Sequence, residues 1–357
     1  MSVASGANYA PSGKPSPVCS PGEFVFSAVA LDHGHIYGMC NGLVEAGAAL
    51  KWVWDPDQPK VEAFQERFPG VRVARSLDEV LDDPAVRLVA GAGVPVDRCD
   101  LGVRVMEHGK DYFCDKPPMT TLAQLEAARR AVATTGCKYA VYFSERLHVE
   151  SAVLAGRLVE QGAIGRVLYV SVMGPHRLAA HSRPDWFWDR ERFGGILCDI
   201  GSHQVEQVLY FTGAESGRIV SSRVANYAHK DRPGFEDFGD LTMVTGTGAA
   251  GYCRVDWFTP SGLGTWGDGR TFIVGTDGYI ELRKYIDVAR DAQGDHVYLV
   301  DQAGEHHIEA RGHVGYPYFG NLVLDCLNRT ERAMTQEHAF AATELCLSAQ
   351  AQAERLE

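Results

Sequence analysis

The residues with the clearest chemical potential lie in two short segments. Lys116 directly follows the predicted buried strand 111–115, and Asp199 and His203 are one helical turn apart if their segment forms a helix. A lysine ammonium can stabilise the negative charge that develops on an alcohol oxygen. A carboxylate one turn from an imidazole can orient the imidazole as a proton acceptor. Together, these residue types could oxidise an alcohol if a hydride acceptor is bound beside them.

A third segment could bind a dinucleotide as that acceptor. Aligned with the pattern G-x-G-x-x-G, the turn keeps only the middle glycine, Gly34. Asp55 follows 21 residues later (55 − 34 = 21), where an acid binds the adenosine ribose and repels a 2′-phosphate, so NAD is favoured over NADP. Asp32 replaces the first glycine, where its charge would repel the pyrophosphate, and Tyr37 replaces the third. The candidate cofactor residues of this turn are Asp32, His33, Gly34, His35 and Ile36.

Two different patterns of elements must position these segments. Between residues 24 and 142, short apolar runs alternate with helical stretches, which predicts a parallel sheet with helices on both faces. From about residue 218 to 308, strand follows strand, which predicts a large, open, mainly antiparallel sheet. The predicted fold class is an α/β Rossmann domain followed by an α+β domain. We expect a disordered leader (1–22), a nucleotide-binding domain (23–147) and a domain for substrate binding and oligomerisation (148–357), whose last helix could pack back on the first domain.

The composition argues against several classes of partner. The chain has 357 residues, of which 45% are hydrophobic and 22% charged, and its formal net charge is −12. An acidic chain repels phosphate backbones, so we expect no nucleic-acid partner. No apolar run reaches the roughly 18 residues of a membrane span. Nine cysteines without C-x-x-C pairs or zinc-finger spacing indicate reduced thiols, a cytoplasmic location and no metal site.

The loop 176–192 combines aromatic rings with hydrogen-bonding cations. Such a mixture suits a small polyhydroxylated ring, because indoles pack on its C–H faces and cations donate to its hydroxyls. The loop leads directly into the segment of Asp199 and His203, which favours a substrate role over a merely solvated loop. The open sheet of the second domain would expose a broad face, so we expect a homodimer or homotetramer. The candidate substrate-binding residues are Lys116, His176, Arg177, Trp186, Arg190, Asp199 and His203.

These segments, in this order, resemble the glucose–fructose oxidoreductase, inositol dehydrogenase and rhizopine-catabolism (Gfo/Idh/MocA) family. Asp115-Lys116-Pro117 is similar to the family's Glu-Lys-Pro. The run 194–203 is similar to its Gly-Gly-Gly-x-x-x-Asp-x-Gly-x-His, except that Phe193 stands for the first glycine. The likeness covers residues 24–357 and includes Val94-Pro95 for a Thr-Pro, 143–146 for aromatic-Asn-x-Arg with Ser144 in place of Asn, and 162–167 for Gly-Ala-Ile-Gly-x-Val.

The resemblance implies an NAD(P)-dependent oxidoreductase that acts on a sugar, an inositol or a related alcohol. It implies that Lys116 contacts the nicotinamide ribose and the reacting oxygen of the substrate. It also implies that His203 is the general base and that Asp199 hydrogen-bonds the substrate or Lys116. On the same ground, the cofactor residues include Val94, Pro95, Asp115, Lys116 and Ser144, together with Asp55.

Two other interpretations remain open. A metal-dependent sugar isomerase or lyase could use the ligands His176, His181, Asp199 and His203. The Rossmann-like start and the Lys-Pro motif count against this class. A non-catalytic relative that senses a ligand would explain the incomplete glycine turn, but such a protein has no need of a proton acceptor beside a hydroxyl group.

Overall fold

The computed structural model describes residues 5–357, and the chain divides into two compact units. The first unit comprises Ala7–Tyr142 and Tyr316–Ala339, and the second comprises residues 5 and 6, Phe143–Gly315 and Phe340–Glu357. The division falls between residues 142 and 143, whereas the sequence suggests 147 and 148. Residues 1–4 of the expected leader lie outside the described residues.

A parallel sheet of six strands forms the centre of the first unit. Its order is β3-β2-β1-β4-β5-β6, and every neighbouring pair is parallel, which is the strand order of dinucleotide-binding folds. The central strands β4 and β5 are buried throughout because helices cover the sheet, whereas the edge strand β3 is exposed. The elements are β1 (Val25–Val29), α1 (His35–Glu45), β2 (Ala49–Trp54), α2 (Gln58–Arg67), β3 (Arg72–Val73), α3 (Leu77–Leu81), β4 (Leu88–Gly91), α4 (Arg98–Glu107), β5 (Asp111–Asp115), α5 (Leu122–Thr135) and β6 (Tyr139–Tyr142).

The boundaries of several helices follow from local sequence signals. Ser76 accepts a hydrogen bond from the backbone of Glu79 at 3.1 Å and caps α3, as the sequence predicts. Thr121 caps α5 in the same way, and Gly136 ends it in the left-handed conformation (φ 69°). These caps fix the points at which each helix returns to the sheet.

A mixed, mostly antiparallel sheet forms the second unit. Its order is β14-β13-β12-β11-β7-β10-β9-β8-β15, with parallel pairing only at β7–β10 and β8–β15 among the described strands. The elements are α6 (Ser144–Leu147), α7 (Glu150–Glu160), β7 (Val167–Pro175), α8 (Arg190–Phe193), α9 (Ile196–Asp199), α10 (Gly201–Thr212), β8 (Gly217–Ala225), β9 (Phe238–Thr245), β10 (Ala250–Asp256), β11 (Arg270–Gly275), β12 (Tyr279–Arg283), β13 (His296–Asp301) and β14 (Gly304–Glu309), followed by α11 (Pro317–Asn328) of the first unit, α12 (Gln336–Gln352), which begins in the first unit, and β15 (Glu354–Leu356).

One long helix, α10, covers the centre of this sheet. α10 is buried over nearly its whole length and packs on β7 and β10. The contact is close at Gly251, where a Cβ atom would lie 2.6 Å from the Val208 side chain. The sheet therefore fixes the helix that carries His203.

The start of the described chain packs against α1. The backbone of Ser16 donates to the Glu45 carbonyl and that of Val18 to the Ala46 carbonyl, both at 2.9 Å. Asn41 donates to the carbonyls of the two residues before Ser12. The part of the leader from residue 5 onward thus has defined partners, which differs from the expected disorder, because its backbone groups hydrogen-bond to a helix.

All nine cysteines are free thiols, and eight of them are buried. Burial raises the pKa of Cys114 and Cys198 to about 12, so these thiols stay protonated at neutral pH. Over the part of the chain that the structure describes, no helix has the length and apolar character needed to cross a bilayer.

Candidate active-site residues

The glycine turn of the first unit connects β1 to α1. α1 begins at His35, and Gly34 is its N-cap, so no side chain projects from the capping position. Asp32, the residue whose charge is awkward here, forms an ion pair with Lys60 at 2.7 Å. Lys60 lies in the first turn of α2, and its positive charge compensates the carboxylate that Asp32 brings to this turn.

A cluster around Asp115 lies beside this turn. Its carboxylate lies 2.8 Å from Nδ1 of His35, 3.1 Å from Nδ1 of His33 and 3.1 Å from the Arg98 guanidinium. Burial alone would raise the pKa of Asp115, but His35, Arg98 and His33 outweigh it and hold this pKa well below its usual range. Burial, reinforced by His35 and the charge of Lys116, lowers the pKa of His33 to about 3, so His33 is neutral at physiological pH.

Lys116 is fixed through its backbone by the same cluster. Its N–H donates to Asp115 at 2.8 Å, and its carbonyl accepts from Arg98. The peptide bond to Pro117 is cis. Lys116 is buried, as expected for a lysine that directly follows a buried strand. The sequence analysis did not identify Arg98. The only sequence signal for this residue is its position shortly after Val94 and Pro95, the buried pair that follows β4.

Asp55 lies at the end of β2, as the sequence predicts, but both of its carboxylate oxygens are in use. One oxygen accepts from the backbone of Leu31 at 2.6 Å and the other from that of Asp57 at 2.8 Å. The side chain is only 2% exposed. Asp55 therefore holds the turn and the start of α2 in place, and any bond to a ribose has to share these oxygens.

The first unit fits a dinucleotide in its chemistry. Its strand order creates the crevice at β1 and β4, the capping position of α1 carries no side chain, and the charge of Asp32 is compensated. The candidate residues Asp32, His33, Gly34, His35, Ile36, Asp55, Val94, Pro95, Asp115 and Lys116 all belong to this unit, whereas Ser144 belongs to the second, as the buried first residue of α6.

In the second unit, a double-glycine turn leads to Asp199 and His203. Gly194 and Gly195 have φ values of 89° and 92°, which favour glycine. The structure has two consecutive helices, α9 and α10, instead of the single helix expected from the sequence. Ile200 between them stays helical (φ −74°, ψ −45°), so the helical spacing of Asp199 and His203 is kept.

Arg183 and Trp257 are neighbours of these residues that sequence analysis left out of the candidate set. Burial lowers the pKa of Arg183 to about 10 against the opposing charge of Asp199, so Arg183 stays cationic at neutral pH. Its guanidinium lies 4.7 Å from the Trp257 ring centroid. His176 packs on the same indole, with ring centroids 5.5 Å apart. Trp257 follows β10 directly, so no local signal links it to the loop.

A buried polar network holds His176. Its Nδ1 faces the Gly174 carbonyl at 3.1 Å, and its Nε2 lies 3.5 Å from the Glu145 carboxylate. Glu145 also accepts from Gln204 of α10 at 3.0 Å and pairs with Lys284 at 2.9 Å. Glu145 directly follows Ser144 in the segment that is similar to aromatic-Asn-x-Arg. The sequence indicated Ser144 as a candidate there, but not Glu145. The network ties the candidate substrate residue His176 to the helix of His203.

Three other residues of the predicted substrate loop have mainly structural partners. Arg177 donates to the backbone carbonyls of residues 260 and 263 at 3.1 and 2.6 Å. Arg190 lies 3.3 Å from Glu236, whose other oxygen accepts from the backbone of Ile196. Trp186 is buried and packs on its neighbouring phenylalanine. These side chains shape the loop and the turn before α9.

The two sheets define a Rossmann-like first unit and a second unit with a mixed, mostly antiparallel sheet. The chain belongs to the GFO/IDH/MocA family. A family described as oxidoreductases with an NAD-binding Rossmann fold matches residues 36–143, and the GFO/IDH/MocA C-terminal domain matches residues 153–281. The predictions of family, fold class and enzyme class are thereby confirmed.

Individual relatives agree with this assignment. The crystal structure of a putative oxidoreductase from Erwinia carotovora atroseptica is 49% identical, with a TM-score of 0.91, and the match covers 94% of this chain and 100% of that one. A scyllo-inositol 2-dehydrogenase (NAD+) from Bacillus subtilis is 28% identical over 66% of each chain. A D-xylose dehydrogenase from Paenarthrobacter nicotinovorans is 28% identical over 41% of this chain and 39% of its own length. The chain thus aligns with less than two thirds of these curated relatives.

Proposed function

We propose that this protein oxidises a hydroxyl carbon of a sugar, an inositol or a related small polyol with NAD+ as the hydride acceptor. The observation that carries the proposal is the retention of three chemically matched groups: a buried lysine at the end of β5, and an acid and a histidine at helical spacing after a double-glycine turn. The names of the inositol and xylose dehydrogenases among the relatives support the same class of substrate.

Each of these residues has a defined task in the proposal. The bound nicotinamide supplies the hydride acceptor. His203 accepts the hydroxyl proton of the substrate, Lys116 stabilises the negative charge on the reacting oxygen, and Asp199 hydrogen-bonds the substrate or Lys116. The buried position of His203 keeps bulk water away from this proton transfer.

The preference for NAD over NADP follows from local charge. Lys60 lies near the end of β2, 2.7, 4.0 and 3.7 Å from Asp32, Asp55 and Asp57. Three carboxylates against one ammonium leave two excess negative charges (3 − 1 = 2). A 2′-phosphate would be repelled here, whereas ribose hydroxyls can donate to carboxylates.

The surroundings of Trp257 support a polyhydroxylated substrate. His176 and Arg183 flank this indole, and the charge of Asp199 acts on Arg183. Aromatic faces beside donors and acceptors are what a sugar ring requires. Of residues 5–357, the groups that could share a metal ion are His33, His35 and Asp115, and His296, His307 and Glu309, so the ligand set of the isomerase alternative gains no support.

The open face of the second sheet supports a homo-oligomer. Large apolar side chains are exposed on this face, and the rings of Phe272 and Tyr279 stack there with centroids 5.6 Å apart. Exposed apolar patches of this kind mark protein contacts. The second copy buries this face in the proposed homodimer or homotetramer.

The proposal is tested by following reduced cofactor with a panel of sugars, inositols and related polyols. The purified protein is incubated with NAD+ or NADP+, and absorbance is measured at the wavelength of the reduced nicotinamide. We expect NAD+ reduction with at least one polyol, and loss of this reduction in Lys116→Ala but not in Lys230→Ala, which changes an exposed lysine. Full activity of Lys116→Ala would refute the assigned role of Lys116.

A further inference from the structure

The N-terminal segment of this chain lies on the turn that would receive the cofactor pyrophosphate. The carbonyl oxygen of Ala7 is so close to Gly34 that a Cβ atom at Gly34 would overlap it, and the Asn8 amide oxygen would lie 3.4 Å from that Cβ. The backbone of Tyr9 and Ala10 continues over Gly38, at 3.5 and 3.4 Å from the equivalent Cβ position. The segment therefore covers the N-terminal turn of α1.

The next residues anchor this segment along α1. The backbone N–H of Gly13 donates to the two oxygens of the Glu45 carboxylate at 2.9 and 3.0 Å. Ser16 and Val18 donate to carbonyls at the end of the same helix. These anchors lie at the far end of α1, away from Gly34. Residues 13–18 can consequently stay in place while residues 5–8 move.

A second set of contacts involves the residues just before Ala7. Ser5 and Gly6 are buried. A Cβ atom at Gly6 would lie 2.7 Å from the ring of His176, and Arg183 donates to the Ser5 hydroxyl at 3.4 Å. His176 and Arg183 are the residues that the proposed function assigns to the surroundings of the substrate.

The composition of this segment suits a contact that is made and broken. Residues 5–8 read Ser-Gly-Ala-Asn and carry no large apolar side chain. Their docking buries little apolar surface, so it adds little free energy beyond hydrogen bonds. A dinucleotide that binds the N-terminal end of α1 can displace such a segment. Ala7 and a pyrophosphate bound at the N-terminal end of α1 cannot be in place at the same time.

We infer that residues 5–8 are an autoinhibitory segment, tethered along α1, that competes with the dinucleotide for the Gly34 turn. This inference rests on the proposed function, because it assumes that the cofactor binds there. When the segment is docked, the turn is closed to the cofactor, and the apparent affinity falls in proportion to the fraction of molecules in which the turn is open.

The test compares NADH binding by the full chain and three variants, measured by fluorescence titration. Deletion of residues 2–8 should tighten NADH binding by about threefold or more. Deletion of residues 2–4 is the matched control and should leave the affinity unchanged, since residues 5–8 remain. Gly13→Pro in the full chain removes the N–H that Glu45 accepts, and it should tighten binding without any deletion.

Hydrogen exchange supplies a readout that does not depend on turnover. NADH should speed exchange of the amides of residues 6–8 and leave those of Ser16 and Val18 slow. Equal or weaker NADH binding after deletion of residues 2–8, with the full chain binding normally, would overturn the inference and leave the proposed function intact. Failure of every form to bind NADH and NADPH would overturn the proposed function, and the inference with it.

Discussion

Asp115 illustrates how a single residue can organise a candidate site. Its buried carboxylate contacts two histidines and Arg98 and accepts from the backbone of Lys116. The sequence could place Lys116 at the end of a strand, because apolar runs and prolines are local signals. It could not reveal Arg98 or the contact with His35, since these residues are 17 and 80 positions from Asp115.

A histidine that accepts the substrate proton must control the rate of the chemical step. His203→Ala should lower kcat by about 10²-fold at neutral pH, with little change in NADH affinity. The rate is measured with the polyol that the substrate panel identifies. His306→Ala, which removes an exposed histidine, is the control and should keep its activity. An unchanged kcat in His203→Ala would eliminate His203 as the base.

Asp295 makes a pH-dependent contribution to stability. Burial raises its pKa to about 6, although Ser151 donates two hydrogen bonds to it. Because this pKa is raised above that of the unfolded chain, the contribution of Asp295 is fully present below about pH 4 and is lost as the pH rises through 6.

Asp295→Asn keeps the acceptor and removes the ionisation. Relative to the wild type, its free energy of unfolding should rise by about 2 to 3 kcal/mol between pH 4 and pH 8. Chemical denaturation at the two pH values measures this difference. Asp231→Asn changes an exposed carboxylate and should show no such trend. A constant difference between Asp295→Asn and wild type at both pH values would contradict the prediction.

At the scale of elements, the turn before α9 shows where local sequence signals end. The glycine pair and the acid–histidine spacing are visible in the sequence, and they correctly place a helical segment at His203. The interruption at Ile200 is not visible. The backbone of Ile196 donates to Glu236, and that of Leu197 to Gln350, at 2.9 Å each, and these partners come from distant parts of the chain.

Gly195 is the residue that this turn depends on most. Its φ of 92° strains any other residue, and a Cβ atom would overlap the Gln350 side chain that caps Leu197. Gly195→Ala should therefore lower the free energy of unfolding by about 1 to 3 kcal/mol. Gly262→Ala, at a position with open space around it, should have a much smaller effect. Similar losses in both variants, measured by denaturant titration, would contradict this account of the turn.

At the scale of the whole molecule, the order of predicted elements was a better guide to the fold class than composition was to the leader. Alternating strands and helices gave the parallel sheet, and consecutive strands gave the mixed one. The leader is rich in Pro, Gly and Ser, and such composition reports a lack of apolar side chains. It does not report backbone hydrogen bonds, which attach Gly13, Ser16 and Val18 to α1.

The proposed oligomer makes a prediction at the same scale. Phe272→Glu places a charge on the open sheet face, so it should shift the protein to a lower oligomeric state. Size-exclusion chromatography with light scattering measures the mass. Leu122→Glu, an exposed position in the first unit, is the matched control. A wild type that is already monomeric, or an unchanged mass in Phe272→Glu, would contradict this assignment of the interface.

The central claim is that a hydride leaves a hydroxyl-bearing carbon of the substrate and reaches the nicotinamide. The most direct measurement is isotope transfer from a polyol that carries deuterium on its carbinol carbons. The account predicts that mass spectrometry of the reduced cofactor shows one deuterium per molecule with wild-type protein, and no reduced cofactor with Lys116→Ala. Reduced cofactor without deuterium, or no reduced cofactor with any polyol of the panel, would contradict it.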